Sequence, residues 1–322
     1  KEPNQMTKVA VLDDYQEVAL EMADWKSLPS VVEVTVFKNH LSDERDVSKR
    51  LAEFEVVSAM RERTPFPKHL LESLPNLKLL VTTGMRNASI DVPSASKLGI
   101  TVCGTEGLGY PTAELTWGLI ISLARKIPEE NSSSRSGSWQ TTLGIGLKGK
   151  TLGILGLGNL GSQVARIGNA FGMNVASWSK NLTKSKAAEN EATLVSFDEL
   201  MESSDFLSIH TVLSDRTRNL IGMRELNLMK PSAFLVNTSR GPIVNEEALI
   251  QALREGVIAG AGLDVFDTEP LPYGHPFLTL SNTLITPHMG YVTIEGYKIF
   301  YRQTVECIGQ YLKGTPVRVL NP

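Results

Sequence analysis

Short runs rich in β-branched and aliphatic residues alternate with helical patterns along this chain, and they do so in two successive series. Each run is too short for a helix and too apolar for a loop, which is how strands covered on both faces read in a sequence. The first series comprises residues 8–12, 32–37, 55–60, 77–82 and 100–103; the second comprises 151–155, 175–179, 206–210, 233–237, 260–265 and 283–286. Strands that alternate with helices pair in parallel, because a parallel neighbour needs a crossover connection and a helix makes it compactly. The expected fold is α/β, with two doubly wound parallel-sheet domains.

Between the series, residues 112–126 read as a helix apolar on most sides and stopped before Pro128. Residues 131–149 are rich in Ser, Thr and Gly, hold Trp139, and read as a loop or an arm that packs on something else. After the second series, residues 293–312 place Tyr297, Phe300, Tyr301, Val305, Ile308 and Leu312 on one helix face. This helix is expected to return to the first domain and to end in a short strand at 317–320. At 322 residues the chain has room for two domains of the usual roughly 100–200 residues. The expected division is one domain at 107–291, inserted into a discontinuous domain of 1–106 and 292–322.

Two phosphate-binding patterns compete near residue 150. Gly144, Gly149, Lys150 and Thr151 match G-x-x-x-x-G-K-[ST], but that loop must open a helix, whose free N–H groups hold the phosphates. Here the match runs into an apolar strand pattern, so it is read as a decoy. Gly156-Leu157-Gly158-Asn159-Leu160-Gly161 instead lies between a strand and a helix. Gly156 suits the tight turn, Gly158 the approach of a pyrophosphate, and Gly161 the close packing of helix on strand. Dinucleotide binding by a Rossmann domain is the expected role.

The next strand ends at Ser179, where an acidic residue would normally meet the adenosine ribose of NAD. The sequence reads Trp178-Ser179-Lys180-Asn181-Leu182-Thr183-Lys184. A hydroxyl beside lysines suits a 2′-phosphate and favours NADP over NAD; the alternative is that the lysines are a solvated turn.

Bulk properties narrow the partners. The net charge of −3 gives no basic footprint for nucleic acid and no polybasic run for a membrane surface. No apolar stretch approaches the roughly 20 residues of a membrane span. Residues 1–7 are polar and lack the apolar core of a signal peptide. Only Cys103 and Cys307 are present, far apart in the sequence, which favours reduced thiols and a cytoplasmic protein. No cluster has metal-ligand spacing, and no metal is expected.

Chemistry in such a fold comes from residues just past the carboxyl ends of the strands. Three ionisable residues sit there: Arg240 in Asn237-Thr238-Ser239-Arg240-Gly241-Pro242, Glu269 in Asp264-Val265-Phe266-Asp267-Thr268-Glu269-Pro270, and His288 in Thr286-Pro287-His288-Met289-Gly290. Together with the 156–161 fingerprint, these motifs resemble those of the D-isomer-specific 2-hydroxyacid dehydrogenase family, which includes glyoxylate and hydroxypyruvate reductases and phosphoglycerate dehydrogenases. The resemblance runs over nearly the whole chain. It implies a flavodoxin-like substrate-binding domain into which the Rossmann domain is inserted, with the active site in the cleft between the two.

The resemblance also implies the reaction: reversible reduction of a 2-keto acid to a D-2-hydroxy acid by NADPH or NADH. Arg240 would pair with the substrate carboxylate and polarise the keto oxygen, and His288 would be the proton donor. Glu269, bonded to the ring, would favour the imidazolium. The family positions imply cofactor contacts from Gly156, Gly158, Asn159, Leu160, Gly161, Ser179, Lys180, Thr211, Thr217, Thr238, Asp264 and Gly290; a purely structural role for Asp264 is an equal alternative. His210 matches a position near the cofactor and is read as packing, while His40, His69 and His275 read as surface or loop residues. A homodimer is implied, using the helix after Thr112 and the arm with Trp139.

Substrate contacts are implied at Arg61, Gly84, Met85, Arg86, Arg240 and Tyr291. Several of these depart from the family pattern. Arg86 replaces a glycine of the carboxylate-holding loop, and it either narrows the pocket, supplies a second cation or points to solvent. Gly104 and Glu106 replace Asn and Pro, and Tyr291 replaces a small residue. Glu269 argues against formate dehydrogenases, which have Gln there. Corepressors of the same fold sense a dinucleotide and keep the catalytic triad; a length without long disordered extensions favours the enzyme.

Overall fold

The computed structural model describes residues 6–321. Its strands are β1 (Thr7–Val11), β2 (Val32–Val36), β3 (Val56–Ala59), β4 (Leu79–Thr82), β5 (Thr101–Gly104), β6 (Thr151–Leu155), β7 (Asn174–Trp178), β8 (Thr193–Leu194), β9 (Phe206–Ile209), β10 (Phe234–Asn237), β11 (Gly260–Leu263) and β12 (Thr283–Ile285). Its α-helices are α1 (Glu44–Leu51), α2 (Lys68–Glu72), α3 (Val92–Lys97), α4 (Pro111–Arg125), α5 (Ile127–Arg135), α6 (Asn159–Ala170), α7 (Lys184–Ala188), α8 (Phe197–Ser203), α9 (Met223–Leu228), α10 (Glu246–Arg254) and α11 (Ile294–Leu312). The chain divides into two compact units, one of residues through Leu108 together with those from Val292, the other of Gly109–Tyr291.

In the first unit the strands follow the order β2-β1-β3-β4-β5, all parallel. This is the flavodoxin-like order. The register aligns Ala10, Val57, Leu80 and Val102 in one row across β1, β3, β4 and β5. All four are fully buried and share a core with Val47 and Leu51 of α1, Leu70 and Leu71 of α2, and Ala95 of α3. Asp43 caps α1 by accepting from the N–H groups of Arg45 and Asp46. Helix α11 packs on β4 and buries Tyr297, Phe300, Tyr301, Val305 and Ile308.

The second unit has the order β12-β11-β10-β9-β6-β7-β8, the Rossmann order with a further strand at one edge. Phe206 and Phe234 face each other across β9 and β10 with ring centroids 5.3 Å apart. Gly262 lies beneath α4, where a methyl group would stand 3.1 Å from Leu123. The strand order reverses between β6 and β9, and the main chain is tied there by a bond from His210 N to Leu155 O. The glycine turn therefore opens at the switch point, where such sheets bind ligands.

Several expectations need correction. Residues 131–135 are helical, because Pro128 both follows the end of α4 and opens α5: Lys126 closes α4 in the left-handed region at φ 56°, and Glu129 and Glu130 favour the new helix N-terminus. The second sheet gains β8, whose two residues are too few to show a pattern. The tail at 317–320 makes only a single antiparallel bridge, Cys103 to Val319, with flanking bonds. His40 and His275 lie in loops, one of the two places expected for them, but their side chains are only 12% and 13% exposed and pair with Asp13 and Glu246. Of the polar N-terminal stretch, residues 1–5 lie outside the described residues. Among the described residues, no helix is long and apolar enough to cross a membrane.

The glycine at 104 has a packing cause. A methyl group there would stand 2.7 Å from Gly84 O and 3.2 Å from Met85 Cα, which is backbone and cannot step aside. Gly104→Asn is therefore expected to lower stability by about 1–3 kcal/mol through overpacking, read as a drop in the midpoint of thermal unfolding.

Candidate active site

The glycine turn follows β6 directly. Gly156 sits at φ +98°, and a methyl group on it would stand 2.7 Å from Thr211 N. Gly161 is tighter still, since its methyl group would stand 2.0 Å from Gly156 O. At Gly158 the same construction meets nothing within 4 Å, so this backbone borders open space. Gly158 is also the N-cap of α6 and brings no side-chain cap, leaving the first-turn N–H groups for an anion. Asn159 and Leu160 open that helix. Two glycines required by sterics and one bordering space fit the phosphates of a dinucleotide. By contrast, the 144–151 match leads into β6 and has no helix behind it.

Ser179 follows β7, and Gly156 N bonds to Trp178 O, which brings the end of β7 beside the glycine turn. Ser179 is half-buried, Lys180 and Lys184 are exposed, and residues 179–184 contain no carboxylate. The open edge at this position is thus cationic.

Arg240 is presented by a turn built by Asn237. The Asn237 amide donates to Arg240 O at 2.9 Å and accepts from Ser239 N at 3.0 Å. Ser239 Oγ donates to Thr211 O at 2.6 Å, tying this turn to the end of β9. Thr238 bonds Thr116 at 2.8 Å, which anchors the turn to α4. Thr217 accepts from Ser214 N and donates to Val212 O, so its hydroxyl closes its own loop. Gly241 then crosses the next loop so closely that a methyl group would stand 2.1 Å from the Phe266 carbonyl carbon.

Phe266 is also where Glu269 is held. Glu269 Oε1 accepts from Phe266 N at 2.9 Å, and Oε2 meets His288 Nδ1 at 2.5 Å. The His288 side chain is 24% exposed, so the ring keeps one edge open, and Tyr291 stands edge-on at 5.7 Å between centroids. His288 lies in the left-handed region at φ 50°, a strained conformation for a side chain of this kind. Asp264 holds it there: its carboxylate, in a residue 1% exposed, accepts from Thr286 Oγ1, Met289 N and Gly290 N at 2.6–2.9 Å. Burial pushes the Asp264 carboxyl up, while these bonds and the neighbouring His288 favour its charged form. Gly290 O accepts from Thr112 Oγ1 at 3.1 Å, and Gly290 is buried. Both main-chain groups of Gly290 serve the loop.

In the first unit, Arg61 follows β3 at φ 50°, with its N–H on Thr83 Oγ1 and its carbonyl accepting from Asn87. Its guanidinium lies over Gly84, 2.1 Å from where a methyl group would be. Gly84 N donates to Thr105 Oγ1, and Asn87 braces the loop through Thr82 and Ser89. Met85, 44% exposed, and Arg86 form the open tip. Asn87 and Asn237, with Gly241, are the residues that sequence reasoning passed over as site builders. For Asn237 the available signal was an Asn at a strand end with turn residues after it. Among the described residues no group of three His, Cys, Asp or Glu could hold a metal.

Comparison with known proteins identifies relatives of the chain. Residues 117–290 match the family model described as D-isomer specific 2-hydroxyacid dehydrogenase, NAD binding domain. A glyoxylate reductase of Thermococcus litoralis is 44% identical over 71% of this chain and 72% of its own. A hydroxypyruvate reductase of Blautia hydrogenotrophica is 30% identical over 98% of this chain and 99% of its own. The crystal structure of a phosphoglycerate oxidoreductase from Vibrio cholerae superposes with a TM-score of 0.91 at 37% identity, covering 96% of this chain and all of that one.

His210 gives this site a measurable pH signature. Its Nε2 meets Ser208 Oγ at 2.7 Å, and burial pushes the imidazole down to about 4 from 6.5. Between those values the unfolded chain binds a proton that the native state does not, so stability falls as pH drops from about 6.5 to about 4. Urea unfolding at a series of pH values should show this slope, and His210→Gln should flatten it.

Proposed function

We propose that this chain, which belongs to the D-isomer specific 2-hydroxyacid dehydrogenase family, reduces a small 2-keto acid of the glyoxylate or hydroxypyruvate kind to its D-2-hydroxy acid, reversibly. The observation that carries the reading is the bond between Glu269 and His288 Nδ1, beside the loop that presents Arg240. With Nδ1 engaged, Nε2 is the nitrogen left to give a proton to the keto oxygen, or to take it back in oxidation. Arg240 offers the planar fork that pairs with a carboxylate and draws charge onto the keto oxygen. The bound dinucleotide supplies the hydride. Gly156, Gly158, Asn159, Leu160 and Gly161 would hold its phosphates.

The cofactor would be NADP in preference to NAD, a reading supported by Ser179 and the exposed Lys180 at the end of β7. Thr211, Thr217, Thr238, Asp264 and Gly290 would line the nicotinamide side, mainly by shaping loops. Arg61, Gly84, Met85 and Arg86 in the first unit, and Tyr291 in the second, are proposed to select the substrate. A homodimer is supported by the arm: Trp139 and Leu143 are 80% and 94% exposed, α5 buries no residue, and Glu130 anchors the arm through Thr141 and Thr142. Two free thiols suit the reducing cytoplasm.

The test is a screen of glyoxylate, hydroxypyruvate, phenylpyruvate and branched 2-keto acids with NADPH and with NADH. Turnover is expected, with NADPH favoured. Arg240→Ala is expected to lower kcat/KM roughly 100- to 1,000-fold, as for removal of a donor to a developing oxyanion, with cofactor binding unchanged in a fluorescence titration. Consumption of neither cofactor, or full activity in the variant, would contradict the reading.

A further inference from the structure

The two cysteines, 204 positions apart in the sequence, meet in the first unit. Cys103 lies on β5 and Cys307 on α11, both fully buried and both free, and the Cys307 thiol reaches the carbonyl of Gly104, the residue that follows Cys103. Arg318 Nη2 stands 3.4 Å from Cys307 Sγ, and that sulfur lies 3.6 Å from Gly104 O and 3.9 Å from Val317 O. The same Arg318 bonds Gly104 O, Gln303 O and Glu306 Oε2, which fixes the guanidinium over the sulfur. A buried thiol with only apolar neighbours is inert; one beside another thiol and a guanidinium is placed to react.

We propose that Cys103 and Cys307 form a peroxide-sensitive thiol pair, with Cys307 as the attacking sulfur, Cys103 as the resolving one and Arg318 as the cation that favours the thiolate. The Cys103 thiol and then Arg318 draw Cys307 down to about 7, against its burial and Glu306. The Cys307 thiolate attacks one oxygen of hydrogen peroxide, the O–O bond breaks, and the departing hydroxide takes a proton to become water. The sulfenic acid left on Cys307 is then attacked by Cys103 sulfur; the S–O bond breaks and the hydroxyl leaves as a second water with the Cys103 proton. Two thiols are oxidised to one disulfide while one peroxide is reduced to two waters.

Residues 317–319 lie against both cysteines, through Val317 O and Arg318 at the Cys307 sulfur and the bridge of Val319 to Cys103. Arg318, at φ 50°, and Leu320 hold this segment on β5 through Gly104 N to Arg318 O and Leu320 N to Val102 O. The side chain of Asn321 adds bonds with Val102 N and Ile100 O. Local opening of a segment held to β5 by these few bonds needs much less free energy than global unfolding. The disulfide would tie α11 to β5.

The experiment is to treat the full chain with hydrogen peroxide under native conditions and to follow intact mass and non-reduced peptides. The expected result is a mass lower by two hydrogens, a Cys103–Cys307 linked peptide, and full reversal by dithiothreitol. Arg318→Gln should slow the reaction several-fold at neutral pH, and Cys103→Ala should leave Cys307 to proceed to sulfinic acid. Persistence of both free thiols at peroxide levels that oxidise surface methionines would overturn the proposal. So would addition of oxygen to Cys307 without cross-linking in the unaltered chain.

Discussion

One buried carboxylate governs the geometry of the second unit. Asp264 donates its main-chain N–H to Asn237 O, and its two carboxylate oxygens accept from Thr286 Oγ1, Met289 N and Gly290 N. It thereby joins the loops that follow β10, β11 and β12. Burying a carboxyl is costly unless its lone pairs are used, and here three donors use them. The strained backbone of His288 persists because residues on both sides of it are held by the same group.

From that clamp the rest of the site follows by contact. Gly241 permits the Arg240 loop to cross Phe266 at backbone distance, and Phe266 N orients the carboxylate that meets His288. The proposed catalytic residues come from three loops yet share one hydrogen-bonded frame. The first unit solves a related problem differently: Gly84 and Gly104 let neighbouring strand ends approach until backbone meets backbone. In both units the small residues are where two loops must touch.

Much of this was legible in the sequence. Strand alternation gave both parallel sheets, because buried parallel strands are continuous apolar runs. The glycine fingerprint was separable from the Gly149-Lys150-Thr151 decoy by what precedes and follows each. Pro128 misled, since the same residue that cannot continue one helix is well suited to begin another. The pairing of His40 with Asp13 and of His275 with Glu246 was invisible, for partners 27 and 29 residues away leave no periodic trace. Cys103 and Cys307 looked unrelated for the same reason, and only the return of α11 to the first sheet unites them. Asp264 fits two roles in the sequence because a buried acceptor and a ligand-facing one look alike there.

In the proposed reaction Glu269 acts through His288, as one proton-donating unit. A double-mutant cycle on kcat for keto-acid reduction reads this coupling. Glu269→Ala and His288→Ala are each expected to slow turnover, and the double variant to be no slower than His288→Ala alone. Losses that multiply in the double variant would show two independent contributions and rule out the coupled pair.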